Sequence, residues 1–238
     1  MTDKTDKIDR TENISKFKLK FTDSKKVYSY VAICFLLLLV LDVIAYFLVL
    51  NTVPNLISKY ASWILYLDIS VVTLGGALWY YASYKGYVSC MASMMIGMTL
   101  GMQTGMMLGA VFGAVNGYFI GAMIGMITGT IIGFITGRAS IMGGLQGMMS
   151  GLMGGTMGAM ITVMMFTDHV LLFMPFYMIL NVAILIGFLY MYHDEVIKGN
   201  KEVVKKHISF GTFTFWCIIT TIILTAILIY APKSVWFG

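Results

Sequence analysis

Between Lys85 and Arg138 the chain carries no charged side chain at all. Soluble domains spread charge through the sequence, at typically about a quarter of all residues. Here only 11% of residues are charged, 59% are hydrophobic, and mean hydropathy is +0.85. That scarcity excludes an ordinary soluble domain. Cysteine is also scarce. Cys34, Cys90 and Cys217 fall in three separate apolar runs, which excludes a disulfide framework and a CxxC site. HExxH, a phosphate-binding P-loop and an intramembrane Ser–His arrangement are all missing, so no enzyme chemistry is expected. The net charge of +5 is not gathered into a cluster fit for nucleic acid. A cleavable signal peptide is not expected either. The first apolar run begins only near Val27, and no small-residue cleavage site follows it.

What the chain does have is long apolar runs. A bilayer crossing takes roughly 20 residues. Residues 1–26 form a polar cytoplasmic tail expected to be disordered, and 27–238 a polytopic membrane domain. The fold expected is all-α, with about seven spans at 27–50, 61–84, 88–114, 117–137, 140–166, 169–192 and 208–231. The break between the third and fourth rests on Asn116-Gly117, a turn signal, and on length. As one helix, the charge-free stretch would run roughly 80 Å, far more than a core of about 30 Å.

Basic residues set the orientation. With the N-terminus inside, the inner segments carry the N-terminal lysines, Lys85, Arg138, Lys198, Lys201, Lys205 and Lys206. The outer segments carry only Lys59 and Lys233. This satisfies the positive-inside rule at each inner loop, places the C-terminus outside, and points to a multi-pass protein of the cell membrane.

The charge-free stretch is also a glycine ladder. Every fourth residue from Gly97 to Gly137 is glycine: Gly97, Gly101, Gly105, Gly109, Gly113, Gly117, Gly121, Gly125, Gly129, Gly133 and Gly137. The next span continues with Gly143, Gly147, Gly151 and Gly155. Residues four apart lie about 40° apart around a helix, so each row forms a slowly winding, side-chain-free groove. Overlapping GxxxG patterns let helix backbones approach closely in lipid. A glycine-zipper core of the third to fifth spans is expected, closed within the chain or against a partner helix or second copy. A glycine-lined conduit is the alternative.

Methionine follows its own beat. All but four of the 21 methionines lie between Met91 and Met165. Cys90, Met94, Met98, Met102 and Met106 recur at intervals of four, about 60° round the helix from the glycine row. Met149, Met153 and Met157 repeat the spacing in the fifth span. Thioethers and thiols are soft ligands suited to Cu(I) or Ag(I), and a row of weak sites is what conduction requires. The same row is equally a packing device, because methionine fills irregular gaps. The segment Met94-Ile-Gly-Met-Thr-Leu-Gly-Met102 resembles the paired MxxxM and GxxxG motifs of the eukaryotic Ctr copper transporters. The resemblance covers one span. Ctr proteins have three spans, form trimers and carry a methionine-rich outer tail that this chain lacks. It is a shared chemical device, and no site is carried over from it.

Asp42 and Asp68 are the acids well inside apolar runs, each roughly 10–12 Å below the expected outer surface. Carboxylates at such depth mark proton or cation sites by default, or stay protonated and hydrogen-bonded to a neighbour such as Ser70 or Tyr66. The function expected is a transporter or channel for a soft metal ion, most plausibly Cu(I), along the Met/Cys rows. The alternatives are a structural or assembly protein that transports nothing, and a channel for another small solute.

Overall fold

The computed structural model describes residues 56–85, 89–165, 170–193, 204–205 and 210–231. The polar tail and the expected span at 27–50, with Cys34 and Asp42, lie outside the described residues. Six helices account for nearly all of the rest. They are α1 (Leu56–Ser83), α2 (Cys90–Asn116), α3 (Tyr118–Gly137), α4 (Ile141–Met164), α5 (Val170–Tyr192) and α6 (Phe210–Tyr230). Five of them, α1, α2, α3, α5 and α6, contain stretches long and apolar enough to cross a membrane. The described residues are thus almost wholly helical, and the five apolar helices mark a multi-pass membrane protein. α4 forms where a span was expected but is not among the five, because glycine occupies so many of its positions and adds little hydropathy.

α2 is the central helix. Every residue from Met107 to Asn116 is buried, on all sides of the helix. One side of it meets α3 and α4, and these three helices make the most extensive contacts in the molecule. The contacts are backbone to backbone. A Cβ built on Gly97 would lie 2.9 Å from Gly137 Cα and 2.9 Å from Gly143 O. One on Gly101 would lie 3.0 Å from Gly133 Cα and 2.7 Å from Gly147 O. One on Gly125 would lie 2.8 Å from Gly155 Cα and 3.0 Å from Gly109 Cα. Five layers follow: 97/137/143, 101/133/147, 105/129/151, 109/125/155 and 113/121/159, with Ala159 as the one non-glycine. α3 runs antiparallel to both neighbours, and α2 and α4 run parallel.

The turns explain the phase of the ladder. Gly117 joins α2 to α3 at φ 90°, a conformation that favours glycine, and its N–H donates to Gly113 O at 3.2 Å. It takes one residue, so the four-residue beat crosses it unbroken. The α3–α4 turn passes through Arg138, Ala139 and Ser140, and the beat restarts at Gly143, two residues late.

The opposite side of α2 packs conventionally, through Leu67 and Leu74 of α1, Met174 and Met178 of α5 and Leu228 of α6. Buried helix ends are completed by neighbours. Backbone carbonyls in the last turn of a helix lack intrahelical donors. Asn116 Nδ2 donates to Leu228 O at 3.3 Å and Ala231 O at 3.2 Å. Ser93 Oγ donates to Gly137 O at 2.8 Å, and Tyr81 OH to Thr136 O at 2.9 Å. Such side chains hold the helix ends in register. Beyond α1, Tyr84–Lys85 pairs antiparallel with Val204–Lys205 in a two-residue ladder. Pro175 lies inside α5, and the helix continues past it.

Candidate functional site

The site is built on the first turns of α2. Ser89 caps the helix, accepting from Ala92 N–H at 3.2 Å. The glycine layers begin only at Gly97; in the preceding turns Ala92, Ser93 and Ile96 are buried. One stripe there stays uncovered. Cys90 is exposed, Met91 is 72% exposed, Met95 50% and Met98 44%, with Met94 half-buried. Cys90, Met91, Met94, Met95 and Met98 surround a cavity of about 410 Å³, closed on one side by Gln146 of α4. Gln146 Nε2 lies 3.9 Å from Met98 Sδ, a weak donor contact to a thioether.

Three residues expected from the spacing, Cys90, Met94 and Met98, therefore share one cavity. Met102 and Met106 continue along the seam between α2 and α4 but do not line it. Their backbones press on the second glycine row of α4. A Cβ on Gly154 would collide with Met102 O, and one on Gly158 with Met106 O. Met149, Met153 and Met157 point outward from α4, at 69%, 59% and 44% exposure. Met91, Met95 and Gln146 escaped the four-residue rule. Counting intervals of three as well as four from Met98 would have found the two methionines, because both intervals keep to one helix face.

The set is soft and nearly uncharged. Cys90 is a free thiol and the one member that can become anionic. Among the described residues no group of three or more His, Cys, Asp or Glu is placed to hold a metal. Clustered sulfurs are the donor type that suits a soft monovalent ion.

The remaining polar candidates lie apart from this cavity. Asp68 is fully buried in α1. Ser70 directs its hydroxyl to Tyr66 O at 2.7 Å and lies 3.9 Å from Met178 Sδ. Asn181 Nδ2 donates back to Tyr177 O within α5 at 2.8 Å. Gln103 is buried in α2, and its Oε1 accepts no hydrogen bond. No known protein family, no curated protein and no solved structure matches the chain.

Proposed function

We propose that the chain is a seven-span membrane protein, N-terminus inside and C-terminus outside, that binds and passes on a soft metal ion, Cu(I). The observation that carries this reading is the cavity shared by Cys90, Met91, Met94, Met95 and Met98. Five sulfur side chains around one opening favour a soft ion over any hard competitor. In the proposed orientation the cavity opens at the inner end of α2, where an ion could be taken from or given to the cytoplasm. Met102 and Met106 would extend the row outward along the α2–α4 seam. Asp42 and Asp68 would serve as proton or cation sites, and Met149, Met153 and Met157 as an outer row. The glycine layers act as the zipper that fixes α2 and α4 in parallel, so that Gln146 stands opposite Met98.

Ag(I), a redox-stable stand-in, tests the binding step. Purified protein in detergent should take up Ag(I) in a calorimetric titration. Changing Cys90 to Ser together with Met94 and Met98 to Leu should reduce affinity by a factor of about 100 or more, since losing even an outer-shell partner of a ligand typically costs about 10–100-fold. Undiminished binding in that variant, or none in the parent, sinks the reading. Flux into proteoliposomes separates transport from binding alone. A second reading has its own support. α4 is not among the helices long and apolar enough to cross a membrane, and it exposes Met149, Leu152, Met153 and Met160. That face fits a partner helix in a purely structural assembly, which cross-linking at Leu152→Cys would detect.

A further inference from the structure

A second cavity, of about 420 Å³, lies on the other side of α2, between α1, α2, α3 and α6. It is separate from the sulfur site. Val71, Leu108 and Leu224 line one end, and Trp79, Ala82 and Thr212 line the other. Along α1 it reaches from Val71 to Ala82, and along α6 from Thr212 to Leu224, which is roughly 17 Å of helix rise. Half of a hydrocarbon core of about 30 Å is nearly the same length. Its side wall is Trp216, 64% exposed, and Thr220, also exposed, so the cavity opens sideways between spanning helices.

The two ends differ chemically. The deep end, at Val71, Leu108 and Leu224, is apolar. The Trp79 end lies one turn from the close of α1, and indoles favour the level where chains meet headgroups. Basic positions gather beyond that end. The two-residue ladder brings the backbones of Lys85 and Lys205 there. Tyr81 OH ties the end of α1 to Thr136 O, two residues before the exposed Arg138.

We propose that this cavity is a lipid site: it holds one acyl chain of an anionic phospholipid, whose headgroup lies towards Lys85, Arg138 and Lys205. Length, sideways opening and charge each match that occupant. A neutral lipid would fill the apolar part and gain nothing at the basic end.

The test is native mass spectrometry of the full chain released from detergent, with phosphatidylglycerol or phosphatidylcholine added. The parent should retain one phosphatidylglycerol with a preference of at least about fivefold over phosphatidylcholine, the effect of one lysine near an anionic surface. Thr220→Phe puts a ring into the side opening at an exposed position, where folding is not at stake. It should reduce retention of both lipids by about tenfold. Replacing Lys85, Arg138 and Lys205 with Ala should abolish the preference and leave phosphatidylcholine retention unchanged. Equal retention of the two lipids by the parent overturns the headgroup assignment. Unchanged retention in Thr220→Phe overturns the cavity as the site and leaves only lipid bound around the perimeter.

Discussion

The two sides of α2 solve one problem in opposite ways. Towards α3 and α4 it presents a row of glycines, and there the helices meet at their backbones. Towards α1, α5 and α6 it presents Leu100, Met107 and Val111, and the helices meet through interlocked side chains. In water both sides would be driven together by the hydrophobic effect. In lipid that drive is missing, because acyl chains are as apolar as leucine. Close backbone contact supplies dispersion and weak Cα–H···O bonds in its place. The glycine side should therefore tolerate change least, reversing the usual ranking of core positions.

That ranking can be broken by experiment. The largest effect is expected at Gly125. Alanine there would put a methyl 2.8 Å from Gly155 Cα and 2.9 Å from Gly105 O, and neither backbone can step aside without opening a layer. Gly125→Ala should lose about 3 kcal/mol, the upper range for overpacking. Reversible unfolding in mixed micelles with rising SDS would measure it, and a loss below that of Met107→Ala would overturn the ranking. Met107, fully buried on the other side, is the middle case. Truncation in a water-soluble core costs about 2–5 kcal/mol, but part of that is transfer from water. Within a bilayer only the packing part remains, so Met107→Ala should lose about 1–2 kcal/mol in the same titration. Gly187 is the control. A Cβ there would meet nothing within 4 Å. Gly187→Ala should be neutral or stabilising by up to about 1 kcal/mol, from helix propensity alone. Destabilisation at Gly187 would mean that glycine itself, rather than close contact, is what matters.

Much of the glycine side was legible in the sequence, and much less of the methionine side. The four-residue spacing implied backbone contact, and Asn116-Gly117 marked the turn where α2 ends and α3 begins. What the ladder could not say was which groove fills which, since three grooves of one pitch fit each other or a partner equally well. Methionine is harder for a physical reason. In a soluble protein an apolar row faces inward. In a membrane, core and lipid are equally apolar, so the same row fits either surface. Met94 and Met98 border a cavity while Met153 faces outward, with nothing in their local sequence to separate them. The lipid-sized cavity was not legible at all, because three consecutive helices wall it only together with α6, which lies far down the chain.

Gly117 carries one more consequence. The layers pair residues equidistant from it, Gly113 with Gly121 and Gly97 with Gly137, so the hairpin is a folded ruler marked in fours. Inserting one residue in either arm rotates everything beyond it by about 100° and turns side chains into the seam. Adding one tetrad to each arm preserves every mark and lengthens both helices by about 6 Å. The hairpin can therefore change length only in matched blocks of four. A shift in membrane thickness would have to be met in such steps, with α4 gaining or losing a block in the same round.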